Sequence, residues 1–296
     1  MDVTESSEQT HVSPEGGDGD GRVSRRPRSL IVSFFGTYAR DLGGWIGVAD
    51  LIALMAGPGV DAPSVRSAVS RLKRRGLLVS ERIGGVAGYR LSEEGHRVLA
   101  EGDQRIFGHR VARTDDGWVL VVFSVPESQR DRRHALRTAL TRLGFGTTAA
   151  GVWIAPAHLT DQARRVLRGL GLEGYVDLFH ADHLGFGDPT EAVARWWDLP
   201  ALQEMYRRFL TEHEPVLEAW RRRGGRAGTP EPGPAAFADH LRAVDAWRRM
   251  PYLDPGLPPE LLPDPWAGSR AARVFFDLHT LLRAPALEHV RATVRG

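Results

Sequence analysis

The sequence contains no cysteine, no long apolar run and only one lysine, Lys73. The lack of cysteine excludes disulfides, thiolate metal sites and a cysteine nucleophile. No apolar run reaches the roughly 20 residues that a membrane-spanning helix needs. The N-terminus also lacks the basic and then apolar pattern of a secretion signal. We therefore expect a cytoplasmic protein that makes no contact with a membrane.

The chain also has little net charge. Its formal charge is +2 over 296 residues, which is too small to make the whole molecule a binder of polyanions. Any basic surface must therefore be local. With 42% hydrophobic residues the chain can bury sizeable cores, and a length of 296 residues predicts about two or three domains.

The N-terminal residues 1–28 show no periodic apolar pattern. Their first twenty residues are acidic and rich in Ser, Gly and Asp, which predicts a disordered tail. The tail ends in a basic segment that contains Arg22, Arg25, Arg26 and Arg28. This segment is either a solvated tail or an arm that enters a nucleic-acid groove.

Residues 29–107 show the element order of a winged helix. Apolar residues recur at helical spacing in three short stretches, the last of them between Asp61 and Gly76. Two alternating runs then flank Gly84-Gly85, which predicts a hairpin, and Ser92 begins another helix. The order helix, helix, helix, hairpin predicts a winged helix-turn-helix domain.

The third helix of this domain is predicted to carry the chemistry for DNA recognition. Its buried face consists of Val65, Ala68, Val69 and Leu72, which leaves a cationic and hydroxyl-bearing face made of Arg66, Ser67, Ser70, Arg71, Lys73 and Arg74. Arginine can bridge guanine acceptors in the major groove, and serine can bond bases or phosphates. Arg82 and Arg90 add cations to the hairpin. We predict binding of double-stranded DNA, with docking of a protein as the alternative.

Residues 115–184 predict a ferredoxin-like βαββαβ domain. The segment "VVFSVPESQRDRRHALR" resembles small CRISPR-associated nucleases of that fold, but Ser124 stands where the resemblance implies a metal-binding Asp. A hydroxyl is a poor ligand for Mg²⁺ compared with a carboxylate. We therefore expect a scaffold and dimerisation module, and we keep a metal-dependent nuclease as a less favoured alternative. The group His180, Asp182 and His183 forms at best a partial metal site, so we predict no catalytic residues, cofactor or metal.

Residues 188–296 predict a helical C-terminal domain, whose first helical region covers residues 188–222 and is interrupted near Pro215. The predicted helices are separated by an Arg- and Gly-rich loop at 221–234 and by a proline-rich segment at 250–266 that is too apolar for a linker and should form an ordered strap. Five tryptophans fall in this part of the chain, either as ordinary core or as the lining of a pocket for an aromatic, acidic ligand: Trp196, Trp197, Trp220, Trp247 and Trp266. The complete fold prediction is an α+β multidomain protein.

Three stretches, "SVRSAVSRLKRRGLL", "VVFSVPESQRDRRHALRTALTRLGF" and "WRRMPYLDPGLPPELLPDPWAGSRAAR", together resemble the PaaX-type repressors of phenylacetic acid degradation. The resemblance implies a cytoplasmic, dimeric transcriptional repressor whose operator binding is relieved by an aryl-coenzyme A thioester such as phenylacetyl-CoA. It assigns DNA contact to Ser67, Ser70, Arg71, Arg74 and the wing from Arg82 to Arg90. The chain departs from the family in its long acidic N-terminal tail and in the Arg/Gly loop near residue 224.

Overall fold

The computed structural model describes residues 27–108, 110–223 and 233–295. Within these ranges the chain is a mixed α and β protein with ten α-helices and two antiparallel sheets. The predicted N-terminal tail lies outside the described residues as far as residue 26, and the first helix begins at Pro27. Most of the predicted Arg/Gly loop, residues 224–232, also lies outside them.

The N-terminal unit combines four helices with a three-stranded sheet. Its elements are α1 (Pro27–Thr37), β1 (Trp45–Gly47), α2 (Val48–Ala56), α3 (Ala62–Arg74), β2 (Leu78–Ile83), β3 (Val86–Leu91) and α4 (Glu93–Phe107). The sheet has the order β1-β3-β2, so β3 is its central strand. Strand β1 was not predicted, because three residues are too few to show an alternating pattern. This segment becomes a strand only through its pairing with β3, in which Trp45 lies opposite Arg90.

The middle unit places two helices on one face of a four-stranded sheet. Its elements are β4 (Trp118–Phe123), α5 (Arg130–Arg142), β5 (Gly146–Ala149), β6 (Val152–Pro156), α6 (Thr160–Gly169) and β7 (Val176–Ala181). The strand order is β5-β6-β4-β7, and every neighbouring pair is antiparallel. Val119 and Val121 of β4 point towards the helices and pack against Leu136, Leu140 and Leu167. The strands and helices follow one another in the order that the sequence predicts.

The C-terminal region contains α7 (Pro189–Trp196), α8 (Leu199–Arg223), α9 (Gly233–Trp247) and α10 (Ala267–Arg295). The sequence predicted one helical region at 188–222 with an interruption near Pro215, but α8 continues through Pro215 and the break falls at Trp197. A proline inside a helix removes one hydrogen bond and costs about 3 kcal/mol. Burial of Leu217 and Trp220 in the turns that follow offsets this cost.

The proline-rich strap at 250–266 is ordered, as predicted. Leu257 and Leu261 are buried with Trp118 of β4 and with Trp197, on the face of the middle sheet that α5 and α6 leave open. The indole Nε1 of Trp197 donates a hydrogen bond of 2.9 Å to the Gly144 carbonyl. The strap and the start of α8 therefore form the second covering layer of this sheet.

The N-terminal unit and helices α8–α10 share one hydrophobic core. The ring centroids of Phe34 in α1 and Phe237 in α9 are 6.3 Å apart, and Trp247 stacks on Phe275 of α10 at 4.8 Å. Trp197, Trp220 and Trp247 are buried, so these three tryptophans are core residues. The apolar face of α1 is thus covered by the C-terminal helices.

A buried carboxylate fixes how α1 sits on α9. Asp245 accepts hydrogen bonds of 2.7 Å from the hydroxyls of Ser29 and Ser33, and its carboxylate lies 3.1 Å from the Nε of Arg248. Asp245 and Ser33 are both buried. Because a buried polar group needs a partner, these bonds allow only one relative position of the two helices.

We expect Asp245→Ala to lower the free energy of unfolding by about 2–3 kcal/mol. This loss of stability is somewhat smaller than the loss from breaking a fully buried ion pair, because Arg248 keeps contact with water. The measurement is urea unfolding followed by tryptophan fluorescence. The control is Asp277→Ala, which removes an exposed ion pair with Arg221 and should change stability by less than about 0.5 kcal/mol. Equal effects of the two substitutions would contradict a special role for Asp245.

A second polar chain crosses the same core. The Tyr38 hydroxyl is hydrogen-bonded to Nδ1 of His240, and Nε2 of His240 lies 2.9 Å from Nδ1 of His279. Burial, together with the neighbouring His279 and Arg283, lowers the pKa of His240 to about 3. Burial also lowers the pKa of His279. Both imidazoles are therefore neutral near pH 7.

Acid should weaken the protein through His240. In the unfolded chain a histidine has a pKa near 6.5, so below about pH 6.5 the unfolded state binds a proton that the native state does not. The stabilisation is complete above pH 6.5 and is lost as the pH falls towards 3. Between pH 7.5 and 5.5 we expect His240 to account for about 1.4 kcal/mol of lost unfolding free energy. Urea unfolding at both pH values checks this, since His240→Gln should show a smaller loss than the wild type.

Candidate nucleic-acid interface

Helix α3 presents one apolar and one cationic face, as the sequence predicts. Val65, Ala68, Val69 and Leu72 are buried. The six side chains assigned to DNA contact on this helix are all exposed: Arg66, Ser67, Ser70, Arg71, Lys73 and Arg74. The structure therefore brings these six together on a single solvent-facing surface, which we call the α3 face.

The start of α3 is set by a side-chain cap. The backbone N–H of Ser64 donates a 2.7 Å hydrogen bond to Oδ1 of Asp61, and Pro63 lies in the first turn, where its missing N–H costs nothing. The hydrogen bond from Ser64 lowers the pKa of Asp61 below its usual value. Asp61 therefore caps the helix, although it is the carboxylate nearest to the α3 face along the chain.

No carboxylate of the described residues neutralises the cations of the α3 face. Among the described residues, Arg66, Arg71, Lys73 and Arg74 have no carboxylate within ion-pair distance, and Arg74 donates a 3.1 Å hydrogen bond to the hydroxyl of Ser70. Uncompensated arginines beside hydroxyl groups are the residue types that contact phosphates and base edges in DNA.

The hairpin of β2 and β3 presents a second exposed surface. Gly84 and Gly85 form its turn with φ values of 56° and 83°, a left-handed backbone that favours glycine. Arg82 is exposed beside the turn, and its Nη1 donates a 3.0 Å hydrogen bond to the Gly85 carbonyl. Three apolar side chains at the hairpin are also exposed: Val79, Ile83 and Val86.

Arg90, the other predicted cation of the hairpin, is held by the protein. Its Nε forms a 2.5 Å ion pair with Glu81 on the paired strand, and its Nη1 donates a 2.9 Å hydrogen bond to the Gly43 carbonyl. The structure thus joins β2, β3 and the segment before β1 through this guanidinium. A sequence pattern cannot show this pairing, because it depends on the register of the two strands.

Trp45 of β1 packs beside this hairpin, a role that the sequence pattern did not predict. The Trp45 ring lies against Gly88 so closely that a Cβ at Gly88 would come within 2.4 Å of the ring. A glycine inside a strand often marks a close approach of this kind. Gly88 in "VAGYRL" was therefore the sequence feature from which a third strand beside β3 could have been predicted.

The predicted partial metal site stays incomplete. The described part of the chain contains no group of three or more His, Cys, Asp or Glu residues placed to hold a metal ion. The ring of His183 packs edge-on against Trp196 at 5.1 Å, and the backbone N–H of Ser124 donates to the Tyr175 carbonyl at 3.1 Å.

None of the described helices has the length and apolar character that crossing a bilayer requires.

Comparison with known proteins supports the resemblance seen in the sequence. The chain is 28% identical over 265 residues to the transcriptional repressor PaaX of Escherichia coli. The alignment covers 88% of this chain and 82% of the relative. This agrees with the expectation of a regulator rather than an enzyme. The solved structure of an uncharacterized protein from Mycobacterium tuberculosis aligns with a TM-score of 0.57 at 25% identity. That alignment covers 90% of this chain and 98% of the other.

Family models match nearly the whole described chain. Residues 26–95 match the PaaX-like protein model, residues 111–193 match the central Cas2-like domain of PaaX proteins, and residues 197–292 match the PaaX-like C-terminal domain. Because three consecutive parts of one family follow one another in this way, the chain belongs to the PaaX family.

Proposed function

We propose that this protein is a DNA-binding transcriptional repressor in which the N-terminal unit is a winged helix-turn-helix and α3 is the recognition helix. The observation that carries this proposal is the α3 face, where four cations and two serines are exposed without carboxylate partners among the described residues. The name of the Escherichia coli relative, a transcriptional repressor, supports it. We further propose that residues 29–107, 115–184 and 188–296 act as DNA-binding, dimerisation and C-terminal effector domains.

In the proposed complex, α3 lies in the major groove. Arg66, Arg71 and Arg74 contact guanines or phosphates, while Ser67 and Ser70 bond bases or the backbone. The exposed Arg82 approaches the backbone or the minor groove beside the flexible turn. Arg90 contributes by holding the wing strands in position through Glu81 and Gly43.

We propose that the middle unit, as a ferredoxin-like domain, forms a homodimer. Strand β7 lies at the edge of its sheet, where backbone groups remain unpaired by another strand. Phe179 on this strand is 52% exposed, and Leu184 just beyond the strand is 89% exposed. A second copy of the chain would cover these side chains. A dimer would also present two recognition helices to half-sites about one helical turn apart.

We propose that an aryl-CoA thioester such as phenylacetyl-CoA relieves repression of an aromatic-acid catabolic operon. The physical basis is linkage between two binding sites. An effector that binds more tightly to the form with the wrong spacing of recognition helices weakens operator binding by the same coupling free energy, typically 1–3 kcal/mol. No enzymatic step is required.

Substitution of Arg71 tests the DNA-binding proposal. We expect Arg71→Gln to weaken specific binding by about 1–3 kcal/mol, because one bidentate contact to a base is lost. The measurement is fluorescence anisotropy over a salt series, with labelled DNA from upstream of the gene and of its neighbours. Arg291→Gln is the matched control, since it removes an exposed arginine from α10 and should leave the affinity unchanged.

Two outcomes would contradict this proposal. In one, the wild type binds no fragment more tightly than the non-specific level of about 10⁻⁴ to 10⁻⁶ M. In the other, binding falls only weakly with salt, which would indicate that the α3 face docks a protein.

The effector proposal has its own test. Adding phenylacetyl-CoA to the complex should weaken operator binding by about 5- to 150-fold, and operator DNA should weaken binding of the thioester by the same factor. Free phenylacetate and an unrelated acyl-CoA serve as controls in the same anisotropy assay. Specific DNA binding that no thioester disturbs would retain the DNA-binding role and refute this effector.

A further inference from the structure

Helices α5 and α6 concentrate positive charge outside the proposed DNA-binding domain. Together they contain eight arginines against two aspartates, an excess of six positive charges in a chain whose net charge is only +2. The arginines are Arg130, Arg132, Arg133, Arg137, Arg142, Arg164, Arg165 and Arg168. We call this surface the α5/α6 face.

The two helices lie side by side in opposite directions. They follow β4 and β6, which are antiparallel neighbours in the sheet. Nη1 of Arg132, near the start of α5, donates a 3.1 Å hydrogen bond to the carbonyl of Gly171, just beyond the end of α6. The basic C-terminal half of α6 is therefore next to the basic N-terminal half of α5.

The helices turn their apolar sides towards the sheet and their arginines towards solvent. Leu136 and Leu140 of α5 and Leu167 of α6 are buried in the middle core. Seven of the eight arginines are exposed, and Arg133 is partly exposed. The α5/α6 face is thus a continuous outer layer of the middle unit.

Most of these arginines lack a counter-charge in the part of the chain that the structure describes. Within the described ranges, two of them form ion pairs, and both pair with Glu127: Arg130 at 2.7 Å and Arg133 at 2.9 Å. Arg137, Arg142, Arg164, Arg165 and Arg168 make no ion pair or side-chain hydrogen bond with any described residue. On other exposed helices some arginines are paired with a glutamate, as are Arg97, Arg208 and Arg270.

Helix stability does not explain the arginines at the start of α5. Arg130, Arg132 and Arg133 fall in the first turn of α5, at the positive end of the helix dipole, where a cation is unfavourable. Six net like charges on two adjacent helices also repel one another. Binding of a polyanion would relieve both costs.

We propose that the α5/α6 face is a second DNA-contact surface, which binds backbone phosphates flanking the operator without reading their sequence. This inference rests on the proposed function, since it assumes that DNA is the partner. Helix α5 is about 20 Å long, at 1.5 Å per residue. A row of arginines of that length fits a DNA strand, which places a phosphate every 3.4 Å or so along the axis, better than it fits one small anion.

The test compares two triple variants that remove the same charge from different surfaces. The first is Arg137→Gln, Arg165→Gln and Arg168→Gln. The matched control is Arg207→Gln, Arg273→Gln and Arg291→Gln, three exposed arginines of α8 and α10 that form no ion pair with described residues. Affinity is measured by anisotropy over a salt series, on a short operator duplex and on one extended by about one and a half helical turns on each side.

On the extended duplex we expect the α5/α6 variant to bind at least about tenfold more weakly at 0.1 M salt than the wild type. The slope of log affinity against log salt should become shallower by about 0.9 per lost contact, or about 2.7 for three. The ratio of operator to non-specific affinity should not change, because phosphate contacts carry no sequence information. The control and the short duplex should show little effect. Replacing the same three residues with lysine should restore the slope, which excludes misfolding as the cause.

Three outcomes would overturn the proposal: wild-type slopes for the α5/α6 variant, equal losses in both triple variants, or a loss that lysine does not restore. If Arg71→Gln still reduces specific binding in these cases, the proposed function stands without the second surface. If the wild type binds neither duplex, the proposed function itself fails.

Discussion

The structure depends on the packing of the N-terminal unit against the C-terminal helices, with α1 against α9 and α2 against α10. An N-terminal unit of about eighty residues has too little interior to cover its own aromatic face, which includes Phe34 and Phe35. Helices α9 and α10 supply the missing surface with Phe237, Trp247 and Phe275. Helix α3 packs on the opposite part of the same core, so the orientation of its exposed face is linked to the C-terminal helices.

Polar groups inside this shared core make the packing specific. Apolar contacts alone would tolerate small shifts of α1, but Asp245 with Ser29 and Ser33 must keep its hydrogen bonds. The chain from Tyr38 through His240 to His279 imposes the same condition at the other end of α1. Both networks join the region of α1 to the C-terminal helices, and α1 in turn packs against α3.

Charge is distributed in a way that the net value hides. The whole chain carries +2, yet α3 and the α5/α6 face both bear arginines without counter-charges among the described residues. Several arginines elsewhere are paired, as Arg97 is with Glu94 and Arg270 is with Glu214. Local excess charge on two surfaces of a nearly neutral molecule is suited to a partner with an extended negative backbone.

The sequence by itself determined most of the helices and strands and the α3 face. Buried residues at helical spacing from Val65 to Leu72 dictate which side of α3 faces outward, and Asp61 dictates where it begins, because both effects act within a few residues. The family resemblance could also be recognised from three contiguous stretches of the sequence.

Only the tertiary structure decided the rest. Strand β1 exists because β3 pairs with it, α8 passes through Pro215 because Leu217 and Trp220 are buried beyond it, and Arg90 is engaged because the register brings Glu81 beside it. Each of these outcomes depends on contacts between residues that are distant along the chain or on neighbouring strands. Local propensity contains no information about such contacts.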